Sequence, residues 1–356
     1  MRYVVAVVIL VLLCVGAAVP TASHARDEGT VGYLTVTVPL EDTGEIPCAV
    51  WYPAGGGKTR AVYDLGTFSR SGRARTDAKP NASGGPYPLV VYSHGYAGCS
   101  VSSAYLCEAL AAAGFVVAAP DHSDDLKLYS LCPGCRPEPF VGLKILFSAI
   151  DLANHLSAGD YDVQDFRYRF IQIKAVIDYL LAENGDDRSP FFGLIDAGHI
   201  GAAGHSLGGF SVTVAAGARD VGIDFPIDAV VSMSGPGGKA FTCADMGRIT
   251  IPVMLMYGKQ EEGPWEKGTG LLAQYRCLAG SKFLMGLAGG DHLAFAERLA
   301  FNSSPNGRRT RKADKLHGLI SRRTTAFFEL YLAGNKGAAE ILEENDPGLI
   351  PCYCSF

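Results

Sequence analysis

The stretch AAGHSLGGF at residues 202–210 sets a serine between two glycines in the pattern G-x-S-x-G. Ser206 is therefore a candidate nucleophile, because the glycines let a strand turn sharply into a helix that exposes the hydroxyl. Backbone N–H groups at the start of that helix favour negative charge that develops beside the serine. The chemistry would be acyl transfer through a covalent serine intermediate. A plain glycine-rich turn has the same letters, so the pattern needs a base, an acid and an oxyanion hole elsewhere in the chain.

The base is expected among the histidines that follow Ser206 in chain order. Only His292 and His317 do so. His292 lies in the loop GGDH after a predicted strand, where an imidazole can reach over the serine. His317 falls in a helical pattern and is expected at the surface, while His205 adjoins the serine and is expected to point elsewhere. We therefore predict that His292 is the base.

The acid is predicted in the loop GKQEEGPW at residues 258–265, which follows another apolar strand. A carboxylate there would orient the imidazole and stabilise its charged form. Glu261 is the first choice and Glu262 the second. Both glutamates have the alternative interpretation of solvated loop charges, and Asp245 is a further candidate.

The oxyanion hole is predicted from the stretch SHGY at residues 93–96, which follows an earlier strand. When a nucleophilic serine follows a strand of a parallel sheet, the loop after an earlier strand of the same sheet supplies one backbone N–H donor. The residue after the nucleophile supplies the other. We assign these donors to Tyr96 and Leu207. His94 is expected to shape the loop through hydrogen bonds rather than to act as the base.

The elements that must position these residues follow from the hydrophobic pattern. From residue 88 onward, short apolar runs alternate with helical segments, which predicts an α/β fold with a mostly parallel, doubly wound sheet and helices on both faces. Two alternating stretches, 31–38 and 46–52, predict an antiparallel start, and residues 54–87 are expected to form a long loop. Ligands bind at the carboxyl ends of strands in such sheets, and the candidate residues follow strands.

Three segments carry a family resemblance: YPLVVYSHGYAG, SSAYLCEALAAAGFVVAAPDH and GHIGAAGHSLGGFSV. They resemble the platelet-activating-factor acetylhydrolase-like and predicted dienelactone hydrolase branch of the α/β-hydrolases, with cutinase-like relatives. The resemblance runs from IPCAVWYPA to the final FFELYL helix and implies the α/β-hydrolase fold and a serine esterase without a cofactor. Acetylhydrolases carry the acid after the strand that follows the nucleophile helix, where residues 232–236 have no carboxylate. Cutinase-like relatives carry an aspartate one strand later, where this chain has glutamate.

The first 25 residues have the pattern of a secretory signal peptide. Arg2 precedes an apolar run over residues 4–19, and Ser-His-Ala at residues 23–25 offers a small-x-small cleavage site. A membrane anchor is the alternative, although the run is short for one. We predict a signal peptide over 1–25 and a single α/β-hydrolase domain over 26–356, secreted to an extracellular or periplasmic compartment.

The cysteine content and the net charge limit the kinds of ligand and partner that the sequence predicts. Of the ten cysteines only Cys14 lies in the leader, and in an exported protein the others favour disulfides over metal ligation. The C-P-G-C stretch at residues 132–135 is expected to be a structural bridge or clamp, and Cys352 and Cys354 are expected to tie down the tail. Their spacing with histidine fits no zinc pattern, so no metal is predicted. The net charge of −5 argues against nucleic acid as the main partner.

An insertion at residues 127–160 contains an amphipathic stretch over 141–156. It is expected to be either an extra packed helix or a cap over the acyl pocket. The function predicted is a secreted serine carboxylic ester hydrolase that acts through an acyl-enzyme on Ser206. Its substrates would be short-chain or lipid-like acyl esters, with transient contact with a lipid surface. The alternatives are a polyester or cutin hydrolase with an open groove and a non-catalytic binding protein on the same fold.

Overall fold

The structure, a computed structural model, describes residues 30–41, 44–65, 69–124, 141–261, 270–297, 310–350 and 353–356. The predicted signal peptide, the C-P-G-C stretch, Glu262 and Cys352 lie outside these ranges. The strands are β1 (Val31–Leu40), β2 (Gly44–Gly55), β3 (Arg60–Asp64), β4 (Ser69–Arg75), β5 (Lys79–Pro80), β6 (Tyr87–Ser93), β7 (Val116–Pro120), β8 (Ile195–His205), β9 (Ala229–Met233), β10 (Val253–Gly258), β11 (Lys282–Leu287) and β12 (Tyr353–Ser355). The helices are α1 (Ala104–Ala112), α2 (Val141–Ala158), α3 (Arg167–Gly185), α4 (Leu207–Thr213), α5 (Cys243–Gly247), α6 (Leu271–Cys277), α7 (Arg311–Tyr331) and α8 (Ala338–Glu343).

The strands form one sheet in the order β12-β11-β10-β9-β8-β6-β7-β2-β1-β4-β3, with β5 paired to β2. Neighbours from β11 through β7 run parallel. The pairs β1–β2, β2–β7 and β11–β12 are antiparallel. This arrangement confirms the mostly parallel sheet and its antiparallel start. Because parallel strands cannot be joined by a tight hairpin, the connections between them carry helices.

Alternation along the central strands builds a core on each face of the sheet. In β6, Val90 and Tyr92 pack into the layer that holds α1 and α7. Leu89 and Val91 pack on the opposite face with side chains of α3. Successive side chains of a strand point to opposite faces, so a run that is apolar throughout fits a strand that is covered on both sides. The helices on both faces are confirmed.

The predicted loop over 54–87 is wrong in part, since β3, β4 and β5 lie within it. Along β3, Ala61 and Tyr63 are buried while Val62 between them is 64% exposed. This is the period-two pattern of a half-buried strand, which the glycine and arginine content of the segment hides. The long helix α7 is also not the last element, because α8 and β12 follow it.

The expected disulfide use is met in only part of the described chain. Cys243 and Cys277 form a disulfide that joins α5 to α6. Cys48 and Cys107, in contrast, are fully buried thiols. A buried cysteine packs as a small apolar side chain, so these two contribute to the core instead of forming a cross-link.

Candidate active site

The candidate residues meet at one edge of the sheet. Adjacent strands β11, β10, β9, β8 and β6 run in the same direction, so the loops that follow them emerge side by side. Ser206 follows β8, Glu261 follows β10 and His292 follows β11. Tyr96 follows β6, and Ser234 follows β9. The topology thus gathers groups that lie up to about two hundred residues apart in sequence.

The turn at Ser206 has the strained geometry that the glycine pattern predicts. Ser206 has φ 56° and ψ −120°, a backbone conformation that residues with a Cβ atom rarely adopt. A Cβ added at Gly204 would lie 2.3 Å from the Gly208 carbonyl oxygen, and one at Gly208 would lie 1.9 Å from that of Ser93. Glycine at both positions therefore permits the close packing of the turn against the end of β6.

Hydrogen bonds link the serine, the histidine and the glutamate in a chain. The His292 Nε2 atom lies 3.0 Å from Ser206 Oγ, within reach of the hydroxyl proton. The His292 Nδ1–H donates to Glu261 Oε2 at 3.0 Å. The histidine side chain is 47% exposed and the glutamate side chain 19%, so a substrate can reach the imidazole while its carboxylate partner lies beneath. A serine can lose its proton to an imidazole in this arrangement.

Glu261 is held by two further donors besides His292. Its Oε1 atom accepts from the Gly258 N–H at 2.7 Å and from the Ser234 hydroxyl at 2.5 Å. Burial disfavours the charged carboxylate, but the bond and charge of His292 and the Ser234 and Gly258 donors outweigh it, so the pKa of Glu261 is lowered. The glutamate is therefore charged at neutral pH and presents a fixed oxygen to the imidazole.

Ser234 is a site residue that the sequence reasoning missed. It belongs to the segment 232–236, which contains no carboxylate. In the structure its hydroxyl serves the carboxylate of the neighbouring loop. The signal in the sequence was a polar residue directly after a buried strand. Asp245, the further acid candidate, instead caps α5 through Thr242 and pairs with Arg219 at 3.2 Å.

His205 lies against His292 rather than away from the site. Its Nε2–H donates to the His292 backbone carbonyl at 2.7 Å, and the two ring centroids are 5.0 Å apart. Burial, followed by the charge of His292, lowers the pKa of His205 to about 3. The imidazole is thus neutral at ordinary pH and holds the backbone that carries His292.

His317 is buried, which contradicts the expected surface position. It is 2% exposed, and its ring stacks on Tyr105 of α1 with centroids 3.6 Å apart and an interplanar angle of 3°. The cause is that α7 packs one face against α1. His317 belongs to this helix interface and not to the group around Ser206.

A cavity of about 830 Å³ opens over the serine. Both predicted oxyanion donors, Tyr96 and Leu207, belong to residues that line it. Apart from Ser206, Glu261 and His292, the other lining residues are apolar, small or uncharged: Ala149, Ile150, Leu152, Ala153, Asn154, Leu156, Ser157, Ala158, Ser234, Gly235, Pro236, Gly237 and Gly238. Apart from tyrosine, Glu261 and His292 are the ionisable residues in this described lining. Such a cavity suits a largely apolar, uncharged ligand.

One wall of the cavity is α2, the helix of the predicted insertion. Its Ser148 Oγ lies 3.1 Å from the Tyr96 hydroxyl. Near its end, the Ser157 carbonyl accepts from the Lys239 N–H at 2.8 Å. Leu156 packs in a buried cluster with Leu207 and other side chains beneath the cavity. The helix therefore contacts both the loop after β6 and the loop after β9.

The described ranges contain no group of three or more histidine, cysteine, aspartate or glutamate side chains that could hold a metal ion. Within the same ranges, no helix combines the length and apolarity needed to cross a bilayer.

Comparisons with known proteins found a partial family match and solved structures of similar fold. The sequence model of the family described as platelet-activating factor acetylhydrolase, isoform II, matches residues 57–132, a segment that includes β6, its following loop, α1 and β7. No curated protein sequence matches significantly. Among solved structures, a ferulic acid esterase from Streptomyces cinnamoneus is similar with a TM-score of 0.62 and 20% identity. That alignment covers 92% of this chain and 98% of the esterase chain.

Proposed function

We propose that this chain, a carboxylic ester hydrolase of the α/β-hydrolase fold by its family match and its structural neighbour, works through an acyl-enzyme on Ser206. The observation that carries the proposal is the hydrogen-bond chain from Ser206 Oγ through His292 to Glu261. In this reaction class a serine is weakly nucleophilic until an adjacent base accepts its proton. His292, with Nε2 3.0 Å from Ser206 Oγ, is placed to accept that proton.

The reaction proceeds in two halves. His292 Nε2 takes the Ser206 proton while Oγ attacks the ester carbonyl carbon and forms a tetrahedral intermediate. The Tyr96 and Leu207 N–H groups donate to the oxyanion. His292 then returns the proton to the leaving alcohol as the C–O bond breaks. Water attacks the acyl-enzyme with His292 as the base, which releases the acid and restores the serine.

Glu261 stabilises the imidazolium ion that forms in each half. Its charge is kept by the Ser234 and Gly258 donors, and its second oxygen holds the tautomer in which Nε2 is free to accept. Removal of such a carboxylate costs about 10⁴-fold in kcat in the best-studied serine triad.

The substrate class follows from the cavity. A mostly apolar cavity of about 830 Å³, whose described lining has only Glu261 and His292 as ionisable groups apart from tyrosine, favours short-chain or lipid-like acyl esters. Phenolic acyl esters belong in the same test because the structural neighbour is a ferulic acid esterase. A polyester or cutin hydrolase is the second candidate within the class. A polymer chain would need an open groove, whereas α2 lies along the cavity, which favours smaller esters.

The protein is proposed to be secreted, and the Cys243–Cys277 disulfide suits an oxidising compartment.

The test compares three variants on p-nitrophenyl esters of graded length. Ser206→Ala is expected to lose ester hydrolysis by at least about 10⁴-fold in kcat and to lose labelling by a fluorophosphonate probe, with an unchanged circular dichroism spectrum. Glu261→Gln is expected to lower kcat by about 10²- to 10⁴-fold. Glu262→Gln is the matched control and should keep the activity of the native enzyme. Full activity in Ser206→Ala would refute the acyl-enzyme, and an active Glu261→Gln beside an impaired Glu262→Gln would move the acid to the second choice.

A further inference from the structure

A fully buried ion pair lies beneath the loop that carries Tyr96. Arg169 on α3 contacts Asp124, with 2.6 Å between Nη2 and Oδ2 and 3.0 Å between Nε and Oδ1. Both side chains are shielded completely from solvent. Removing two charges from water is costly, so a buried ion pair is weak support for a purely stabilising role. The pair is better understood through the other groups it bonds.

Those other groups belong mainly to the loop after β6. Arg169 Nη1 donates to the His94 carbonyl at 2.7 Å, and Nη2 donates to the Gly95 carbonyl at 3.4 Å. Asp124 Oδ2 accepts from the Ala97 N–H at 2.9 Å. The ion pair therefore contacts the backbone on both sides of Tyr96. Ala97 itself has φ 57°, a left-handed conformation that a side chain with Cβ keeps only when its surroundings hold it.

The bonds to the Gly95 carbonyl determine where the Tyr96 N–H points. These two groups belong to one peptide unit, which is planar and trans, so they point in opposite directions. The Gly95 oxygen accepts from Arg169, from the His94 Nδ1–H at 2.7 Å and from the Gly98 N–H at 3.0 Å. The Tyr96 N–H must then point away from the ion pair. On the other side of the loop, a Cβ built on Gly95 would lie 3.3 Å from Ser206 Cβ.

His94 is fixed in the form that this arrangement needs. Its Nε2 atom accepts from the His122 N–H at 3.0 Å, which leaves the proton on Nδ1 for the Gly95 carbonyl. Burial, reinforced by the charge of Arg169, lowers the pKa of His94 to about 4. The ring is therefore neutral at ordinary pH and can accept and donate at once.

We propose that Arg169 and Asp124 are positioning residues that hold the Gly95–Tyr96 peptide with its N–H directed at the oxyanion. The proposal rests on the proposed function, because it assumes an acyl-transfer intermediate on Ser206. A donor that is fixed before the reaction needs no reorganisation when charge develops on the substrate oxygen. Donors on the Gly95 carbonyl also polarise the peptide and strengthen its N–H as a donor.

The test uses two conservative variants of the pair, Asp124→Asn and Arg169→Lys. Each is expected to lower kcat for p-nitrophenyl butyrate by about 10- to 100-fold, less than or equal to the cost of deleting an oxyanion donor, with KM changed by less than about threefold. The affinity for a trifluoromethyl ketone, whose adduct carries an oxyanion, should fall in parallel with kcat. A purely structural role would lower the melting temperature and leave kcat of the folded enzyme and the ketone affinity unchanged.

Arg323 on α7 provides the matched control. It is also a fully buried arginine, and its guanidinium donates to backbone carbonyls, those of Ile341 and Glu344. Arg323→Lys is expected to lower the melting temperature and to keep kcat and the ketone affinity. If both ion-pair variants fail to fold, Tyr168→Phe removes only the hydroxyl that donates to Asp124 Oδ1 at 2.7 Å. It should lower kcat and ketone affinity together, by about two- to fivefold.

The outcomes separate this proposal from the one on which it rests. Folded Asp124→Asn or Arg169→Lys enzyme with native kcat and native ketone affinity would overturn the positioning role, as would an unaffected Tyr168→Phe where the other two do not fold. Inactive Ser206→Ala beside such results would leave the proposed function standing. An active Ser206→Ala would instead refute the proposed function.

Discussion

The base of the cavity and its wall at α2 are built in different ways. The base, formed by the turn at Ser206 and the loop over residues 93–97, is held by backbone contacts, by glycine packing and by the buried pair of Arg169 and Asp124. Most of the described side chains of the α2 wall are exposed, and its polar contacts to the rest of the protein include the bonds of Ser148 and Ser157. It also leaves Phe147 65% exposed.

Because of this difference, we expect the base of the cavity to govern the chemical step and the α2 wall to govern which esters bind. In the proposed mechanism, the base of the cavity positions Ser206, His292 and the N–H donors, and their geometry must hold to within a fraction of an ångström. The wall presents side chains such as Ala149 and Leu152 to the ligand, and substitutions at exposed positions usually change the free energy of unfolding by less than about 0.5 kcal/mol. Substitutions in the base should therefore affect folding and kcat, whereas those in the wall should affect the preference for one ester over another.

The largest effect is expected at Gly208. A Cβ there would lie 1.9 Å from the Ser93 carbonyl oxygen and 2.7 Å from that of His94, and backbone atoms cannot rotate away as the end of a side chain can. Gly208→Ala should lower the free energy of unfolding by more than about 3 kcal/mol, measured by urea denaturation, or prevent folding. Gly185→Ala is the control, because a Cβ at that end of α3 has no neighbour within 4 Å. Equal stability of the two variants would contradict the rigid packing of the base of the cavity.

The next effect is a loss of stability in acid. Burial, with Arg169 and His292 as the next causes, lowers the pKa values of His94 and His205 from 6.5 to about 4 and about 3. Below pH 6.5 these histidines are protonated in the unfolded chain but stay neutral in the folded chain. The stabilisation that is present above pH 6.5 is therefore lost as the pH falls towards the pKa values of the folded state. For His94 this corresponds to about 3 kcal/mol at full effect.

Urea unfolding at about pH 7.5 and about pH 4.5 measures this loss. His205→Asn should flatten the dependence on pH, since one of the buried imidazoles is then absent. His155→Gln should leave it unchanged, because that α2 side chain is 52% exposed. A free energy of unfolding that is constant between the two pH values would contradict the contrast between the buried base and the solvated wall.

The smallest effect is expected from the wall. Ala149→Trp fills space along α2 and should raise KM for a long-chain p-nitrophenyl ester by about tenfold, with kcat for the butyrate ester within about twofold of native. Phe147→Ser, on an exposed side chain, should leave both soluble esters unaffected. A large fall in butyrate kcat for Ala149→Trp would mean that α2 takes part in the chemistry.

The prediction of the fold class depended on local patterns and agrees with the structure. The alternation of apolar runs and helices produced the parallel sheet, and the strand-end positions of the candidate residues followed from it. The errors arose where composition obscured periodicity, as at Ala61 and Tyr63 in β3. His317 was misjudged because a single helix does not reveal which neighbour covers it.

The sequence by itself determined the features that are local. Glycines at 204 and 208 predict a tight turn at Ser206 because no other residue fits the space, and the apolar runs predict buried strands because their side chains must leave water on both faces. Only the tertiary structure decided which carboxylate meets His292, that Ser234 holds that carboxylate, and that Arg169 pairs with Asp124. Those contacts join residues that are far apart in the sequence, and their distances depend on how neighbouring strands and helices are packed.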